Sequence, residues 1–158
     1  MHGTLVVRVA TLAEVRPLQQ AVLRPDGPLP GEPPVPEDMQ CVGAYDDGVL
    51  VGTGAVLRRP WPGPGSLPEP VWQLRSMAVD SAHRGRGVGS AVLAAATELA
   101  RAEGAVSLWA EARVAALGLY RRAGWTIVGD EWVKPWVGPH RWIRRDLSAL
   151  PGTMRSPQ

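Results

Sequence analysis

Residues 84–89 read RGRGVG, which places three glycines and two arginines directly before an alanine-rich stretch. Closely spaced glycines let successive backbone amides point toward one centre, and the start of a following helix adds the positive end of its dipole. Arg84 and Arg86 add guanidinium groups, whose paired donors match phosphate oxygens. The segment therefore predicts a site for phosphate or pyrophosphate. A flexible basic turn is the alternative interpretation.

Two familiar phosphate-binding loops do not match this segment. A P-loop requires the triplet Gly-Lys-Ser/Thr, and the chain contains no such triplet. A dinucleotide fingerprint requires G-x-G-x-x-G early in a βαβ unit. The spacing here is G-x-G-x-G, and it follows three predicted strands. A different kind of anion site is therefore needed.

The elements that position this loop can be predicted from hydrophobic patterning. Strands are predicted at 5–10, 39–45, 49–57, 71–80, 105–111, 125–133 and 140–147. Thr11 and Glu14 have the capping-box spacing that begins a helix, and Pro17 predicts a kink or a new start within that helix. A second helix follows the glycines and ends near Gly104, and a third is predicted over 113–123. The order β-α-β-β-β-α-β-α-β-β predicts an α/β fold with a mixed, mostly antiparallel central sheet flanked by helices.

Length and composition limit the classes of protein. A chain of 158 residues has the size of one domain, which we predict over residues 1–147, with a flexible C-terminal tail over 148–158. No signal peptide or membrane span is expected, so a cytoplasmic location is predicted. The single cysteine, Cys41, is interpreted as a small buried hydrophobe rather than a catalytic thiol.

The net charge of +2 does not indicate a nucleic-acid binder, because 17 cations and 15 anions are spread along the chain. The hypothesis of a nucleic-acid-binding domain is supported only by the calculated pI of 9.2. We therefore expect no nucleic-acid partner and no membrane partner.

Two motifs at the right separation resemble one family. The segment LRSMAVDSAHRGRGVGSAVL (74–93) resembles the acyl-CoA-binding motif of the GNAT N-acetyltransferase superfamily, with Arg-x-x-Gly-x-Gly at 84, 87 and 89. Downstream, EARVAALGLYRRAGW (111–125) is similar to the second motif, Asn-x-x-Ala-x-x-x-Tyr-x-x-x-Gly-Phe. Ala116, Tyr120 and Gly124 are in register, Trp125 replaces the usual Phe, and Arg113 stands where Asn is common. The resemblance covers residues 5–147 and is strongest over 71–125. The sequence Gly-Pro-His before the last strand resembles that of a bacterial subgroup of the family.

The resemblance implies an acetyl-CoA-dependent N-acetyltransferase with acetyl-CoA as co-substrate and no metal. The amides of residues 85–90 would hold the pyrophosphate, and the strand around Ala78 would pair with the pantetheine arm. A backbone N–H near Ala78 would polarise the acetyl carbonyl. The cofactor-binding residues so implied are Met77, Ala78, Val79, Arg84, Gly85, Arg86, Gly87, Val88, Gly89, Ser90, Arg113 and Ala116.

Three residues are candidates for catalysis. Tyr120 is the family's usual proton donor to the leaving sulfur, and on a helix over 113–123 it would share a face with Arg113 and Ala116. Glu111 could be the base, and the alternatives are a solvent-exposed carboxylate or a charge partner of Arg113. His140 has a reference pKa suited to a base near neutral pH, with a structural imidazole as the alternative.

The acceptor is expected to be a small-molecule or peptide amine, and a homodimer is possible. The predicted strand tryptophans Trp72, Trp109, Trp125 and Trp142 are expected to fill the core, whereas Trp61, Trp132 and Trp136 could line an acceptor pocket. His83 is expected to be a solvated loop residue. A non-catalytic acyl-CoA-binding or sensing module is the alternative function.

Overall fold

A computed structural model describes residues 4–148 of the chain. The elements follow in the predicted order, which confirms the fold class: β1 (Leu5–Ala10), α1 (Leu12–Leu23), β2 (Gln40–Asp46), β3 (Val49–Arg58), β4 (Val71–Val79), α2 (Val88–Ala102), β5 (Ser107–Arg113), α3 (Leu117–Arg122), β6 (Thr126–Lys134) and β7 (Gly138–Asp146). Short 3₁₀ turns at Ser81–His83 and Val114–Ala116 are additional to the prediction. The predicted tail lies outside the described residues from position 149 onward.

The strands form a seven-stranded sheet in the order β1-β2-β3-β4-β5-β7-β6 within the described residues. The pairs β1–β2, β2–β3, β5–β7 and β6–β7 are antiparallel. The pair β4–β5 is parallel over Val71–Gln73 and Ser107–Trp109. The sheet is therefore mixed and mostly antiparallel, as the sequence predicts.

The chain divides into two compact units. The first contains the residues up to Leu57 together with Leu74–Leu99, and the second contains Arg58–Gln73 and the residues from Ala100 onward. Strand β4 and helix α2 each contribute residues to both units.

Local sequence signals explain how the first unit begins. The Thr11 hydroxyl accepts the Glu14 N–H at 3.1 Å, and the Glu14 carboxylate accepts the Thr11 N–H at 2.9 Å, which completes the predicted capping box. Helix α1 continues through the exposed Pro17 as a single helix, so no new start is needed there. Asp47 and Gly48 have φ angles of 49° and 83°, the left-handed pair that a tight β2–β3 hairpin turn requires.

Buried apolar side chains from β1, α1, β2, β3 and the position just before β2 form a core cluster in this unit: Ala10, Val15, Met39, Cys41, Ala55 and Leu57. Cys41 is 1 % exposed, and burial raises the pKa of its thiol. A thiol with a raised pKa is a poor nucleophile at neutral pH. The interpretation of Cys41 as a buried hydrophobe is therefore confirmed.

Helix α2 packs directly against the backbone of β3. A Cβ placed on Gly52 would lie 2.6 Å from Cγ1 of Val88, and one on Gly54 would lie 3.0 Å from Cγ1 of Val92. A contact of 2.6 Å would force an atom to shift and one of 3.0 Å would be unusually tight, so the two glycines allow the first turns of α2 to touch the sheet. This contact fixes the position at which α2, and the glycine loop before it, begins.

The second unit is built on β5, β7 and β6. Leu108 and Ile143 are fully buried on one face of these strands. Helix α3 contributes Leu117 and Tyr120 as buried side chains and is followed by Gly124 with φ 93°. Within residues 4–148, no helix is both long enough and apolar enough to cross a bilayer.

Candidate active site

The glycine loop has the backbone geometry that an anion site needs. Gly85 and Gly87 have φ angles of 77° and 82°, in the left-handed region that favours glycine. A Cβ on either glycine would meet nothing within 4 Å, so the space beside the backbone is open. Arg84 and Arg86 are exposed beside these glycines.

The loop ends as the N-terminal cap of α2. The Ala91 N–H donates to the Gly87 carbonyl at 3.0 Å, so Gly87 occupies the capping position. The N–H groups of the next three residues, Val88, Gly89 and Ser90, therefore have no acceptor within the helix. These groups and the helix dipole together favour a negatively charged ligand.

The strand that leads into the loop is irregular, which sequence reasoning missed. Ser76 has a φ of 58°, a conformation that non-glycine residues seldom adopt within a strand. Such a residue changes the direction of the strand just before Met77, Ala78 and Val79. Ala78 is buried, and Met77 and Val79 are half-buried.

His83 is held between two carboxylates. Its Nδ1 lies 2.9 Å from Oδ2 of Asp80, and its Nε2 lies 3.4 Å from Oδ2 of Asp46. Its side chain is 23 % exposed. The prediction of a solvated loop residue was wrong, because the 3₁₀ turn Ser81–His83 directs the ring toward the end of β2. No local pattern in the sequence indicates the pairing with Asp46.

The second motif is arranged differently from the predicted helix over 113–123. Arg113 is the last residue of β5, Ala116 ends a 3₁₀ turn, and only Tyr120 lies in α3. The prediction that these three share one helix face was therefore wrong. Arg113 instead pairs in register with His140 of β7 and is exposed.

Tyr120 is 6 % exposed and packs edge-on against Trp125, with ring centroids 5.5 Å apart. Burial raises the pKa of its phenol to about 12. The hydroxyl therefore keeps its proton throughout the physiological pH range, so it can act as a proton donor but not as a base.

Glu111 is paired with a residue that the sequence did not indicate. Its Oε1 accepts a hydrogen bond from Nζ of Lys134 at 2.9 Å, and the two side chains are 30 % and 40 % exposed. The alternative that Glu111 pairs with Arg113 was wrong about the partner. Lys134 is the chain's one lysine, which is the only signal that could have drawn attention to it.

His140 is 4 % exposed and has a defined tautomer. Its Nδ1 lies 2.8 Å from the Gly138 carbonyl, which can only accept, so Nδ1 carries the proton. Its ring stacks on Trp132, with centroids 5.3 Å apart and planes 30° apart. Nε2 is thus the basic nitrogen of the neutral ring.

Strand register places Glu111 and His140 on one face. Glu111 pairs with Trp142 directly across the β5–β7 ladder, and opposed residues of an antiparallel pair share a face. His140 is two residues from Trp142 and so lies on that face as well. The structure thus brings together two of the three predicted catalytic side chains, on the β5–β7 face of the second unit.

The tryptophans follow the predictions in part. Trp72, Trp109 and Trp125 are buried, as expected for packing residues, whereas Trp142 is half-buried. Trp61, a predicted pocket residue, lies edge-on to both Trp109 and Trp142. Trp136 is 74 % exposed, and Trp132 lies within β6 rather than in a loop. Among residues 4–148, no three His, Cys, Asp or Glu side chains are grouped so as to hold a metal ion.

The glycine loop before α2, the irregular β4 and the mixed sheet together are features of an acetyltransferase-type fold. Residues 15–125 match the acetyltransferase (GNAT) family, and the chain belongs to that family.

Solved structures of low sequence identity share the fold. A proposed N-acetyltransferase from Lactobacillus plantarum is 17 % identical with a TM-score of 0.72, covering 91 % of this chain and 99 % of its own. The ribosomal-protein-alanine N-acetyltransferase from Brucella melitensis is 22 % identical with a TM-score of 0.67, covering 90 % and 99 %. A chain of the NatC complex bound to Gag peptide and CoA is 19 % identical with a TM-score of 0.67, covering 90 % and 98 %.

Proposed function

We propose that this protein is an acetyl-CoA-dependent N-acetyltransferase, transferring an acyl group to a small-molecule or peptide amine by direct attack in a ternary complex. Family membership supports acyl transfer. The cofactor assignment rests on the position of Gly87, which has a φ of 82° and caps the N-terminus of α2. Exposed arginines precede it, and backbone amides without an acceptor inside the helix follow it. A cytoplasmic location, a homodimer and the Gly-Pro-His subgroup stay predictions.

The residues of the first unit fit a pyrophosphate. The amides of Val88, Gly89 and Ser90 can donate to its oxygens, and Arg84 and Arg86 can neutralise its charge. The backbone at Gly85 and Gly87 leaves open space where a side chain would otherwise stand. Bound acetyl-CoA supplies the activated acyl group. Arg113 and Ala116 stay predicted cofactor contacts, now placed on a strand end and a turn.

The transfer balances in the following way. The amine nitrogen forms a bond to the acyl carbon, and the carbon–sulfur bond breaks. The acceptor ammonium loses two protons overall, and the departing thiolate takes up one. Each proton needs a residue that can accept or donate it.

Three side chains are proposed for these proton transfers. Tyr120 shares its proton with the departing sulfur through a hydrogen bond, since burial keeps its phenol protonated and also makes it a weaker acid than the thiol. Glu111 and His140 are the candidate bases: the first is a carboxylate at a half-buried position, and the second holds Nδ1 against the Gly138 carbonyl, which leaves Nε2 as the nitrogen that can accept a proton. Holding both reactants in place contributes to the rate as well.

Calorimetric titration with acetyl-CoA tests the cofactor assignment. Gly87→Asp should abolish binding, because a side chain at φ 82° is strained and the carboxylate repels phosphate. Gly27→Asp is the matched control: Gly27 also has a left-handed φ, 92°, with nothing near its Cβ position, but lies in the loop after α1. The assignment would be contradicted if both variants bound acetyl-CoA as tightly as the wild-type protein does.

Release of free thiol from acetyl-CoA, with and without a panel of amines, tests catalysis. Amine-dependent release supports the transferase. Tight acetyl-CoA binding without release under any amine would instead support the non-catalytic acyl-CoA-binding module.

A further inference from the structure

One face of β5, β7 and β6 carries an unusual concentration of indole rings. Direct pairing of Trp142 with Glu111, and of Trp132 with His140, places these side chains on a common face of the strands. Trp61, from the segment between β3 and β4, lies against the same rings. We name this surface the aromatic face, and its members are Trp61, Trp109, Glu111, Trp132, Lys134, His140 and Trp142.

The rings of the aromatic face contact one another in a continuous series. Trp61 lies 5.6 Å from Trp142 and 6.0 Å from Trp109, edge-on to both. Trp132 lies edge-on to Trp142 at 6.4 Å. Three of these indoles, Trp61, Trp132 and Trp142, are only half-buried, so part of their surface is exposed to solvent.

Hydrogen bonds fix two of the rings. Nε1 of Trp61 donates to the Pro64 carbonyl at 2.9 Å, and Nε1 of Trp109 donates to the Arg59 carbonyl at 3.1 Å. Trp109 is buried, whereas Trp61 is both fixed and partly exposed. Together with its half-buried neighbour Trp142, Trp61 presents a preformed surface for a flat apolar group or a cation, because the π face of indole attracts positive charge.

A primary ammonium already lies at this surface. Nζ of Lys134 is 2.9 Å from Oε1 of Glu111, and Glu111 stands directly across the ladder from Trp142. At 40 % exposure, the lysine side chain is free to turn toward solvent at low cost. Its position shows where a second primary ammonium can be held by a carboxylate beside indole rings.

We infer that the aromatic face binds the acceptor, and that the acceptor is a single primary ammonium joined to an aromatic or other flat apolar body. This inference rests on the proposed acetyltransferase function. The ammonium pairs with Glu111 in place of Lys134, and the flat body contacts Trp61 and Trp142. Since the face has one carboxylate beside Lys134 and Arg113, a polyamine is disfavoured by repulsion.

Calorimetry with 2-phenylethylamine as the probe tests the inference, using the protein alone and saturated with coenzyme A, so that no turnover occurs. Glu111→Gln should weaken binding about tenfold, and Lys134→Ala should strengthen it several-fold by removing the competing ammonium. A merely structural Lys134–Glu111 pair would make both changes equally harmful. The neutral probe 2-phenylethanol should respond to neither substitution.

The aromatic contribution is tested separately. Trp142→Ala should weaken the amine about tenfold, whereas Trp136→Ala, an exposed indole outside the aromatic face, should leave binding unchanged. The inference is overturned if 2-phenylethylamine binds in neither state, if spermidine binds equally well, or if the Glu111 and Lys134 variants do not shift affinity in opposite directions. Intact acetyl-CoA binding alongside such a result would leave the proposed function standing.

Discussion

Nδ1 of His83 lies 2.9 Å from a carboxylate oxygen of Asp80, three residues earlier in the chain. The same ring reaches Asp46 at the end of β2 through Nε2. The turn Ser81–His83 immediately precedes Arg84, and the contact with Asp46 joins this turn to the β2–β3 hairpin. The imidazole thus fixes the approach of the chain to the glycine loop.

Replacing His83 should therefore weaken cofactor binding without unfolding the protein. We expect His83→Ala to raise the Kd for acetyl-CoA about three- to tenfold, since the hydrogen bond to Asp80 and the contact with the Asp46 carboxylate are lost. Asp46→Ala should have a similar effect, and the double variant should be no worse than either single one. This role would be contradicted if calorimetry showed unchanged Kd values. It would also be contradicted if the two losses of binding free energy added fully in the double variant.

The contact of α2 with β3 predicts a steric effect at Gly52. In Gly52→Ala the new methyl would lie 2.6 Å from Cγ1 of Val88, so the first turn of α2 must move. We expect a loss of about 1–3 kcal/mol in the free energy of unfolding, together with weaker acetyl-CoA binding.

Adding Val88→Ala to Gly52→Ala should restore part of both losses, which a double-mutant cycle by chemical denaturation would measure. Gly118→Ala is the control, because its Cβ would meet only the flexible end of Arg122 at 3.3 Å. Additive effects at Gly52 and Val88 would show that the contact is not responsible.

Tyr120 should affect turnover far more than binding. If its phenol donates the proton to sulfur, Tyr120→Phe should lower kcat about 10²-fold while the Kd for acetyl-CoA changes little. Tyr45→Phe, the chain's other tyrosine, should leave kcat unaltered. Equal kcat values for wild type and Tyr120→Phe would remove Tyr120 from the mechanism.

The raised pKa of Tyr120 also predicts an alkaline effect on stability. The unfolded chain ionises this phenol near 10, but the folded protein holds its proton to about 12. The folded state binds more protons in this window, so its contribution to stability is complete below pH 10 and is lost as pH rises through 12. Tyr120→Phe should therefore lose less stability than wild type between pH 10 and 12 in denaturation curves.

Glu14 predicts an effect at the opposite end of the pH scale. The Arg8 guanidinium, the Thr11 N–H and the Tyr45 hydroxyl donate to its carboxylate and lower its pKa from 4.5 to about 2. A lowered folded pKa gives stability that is present above pH 4.5 and is lost as pH falls through 2.

Glu14→Gln should accordingly lower Tm at pH 7, and the difference from wild type should shrink as pH falls from 4.5 to 2. Glutamine keeps an oxygen that can accept the Thr11 N–H of the capping box, but its NH2 group cannot accept from Arg8 or Tyr45. The comparison therefore reports the charge together with these two hydrogen bonds. Glu37→Gln, at an exposed loop position, serves as the control. A Tm difference that stays constant across this range would contradict the assignment.

Elements whose signals lie within a few residues could be predicted from the sequence. The capping box of Thr11 and Glu14, the left-handed Asp47–Gly48 turn and the alternating strands all depend on neighbours along the chain. The glycine loop was found for the same reason, because its backbone conformation is specified by the glycines themselves.

Contacts between distant segments could not be predicted in this way. The pairs Glu111–Lys134 and His83–Asp46 depend on strand register and on turns of 3₁₀ type, which no periodicity specifies. Arg113 was misplaced on a helix because its segment has helical composition, whereas pairing with β7 extends β5 to include it. Tertiary hydrogen bonding overrode the local preference there.

The salt bridge of Lys134 has a practical consequence. Apart from the terminal amine, an amine-directed label has a single target side chain in this protein, and that nitrogen lies at the edge of the aromatic face. The rate at which Lys134 is labelled reports how often it leaves Glu111. A ligand that displaces it will therefore speed the labelling, so mass spectrometry can screen compound libraries without any knowledge of the reaction.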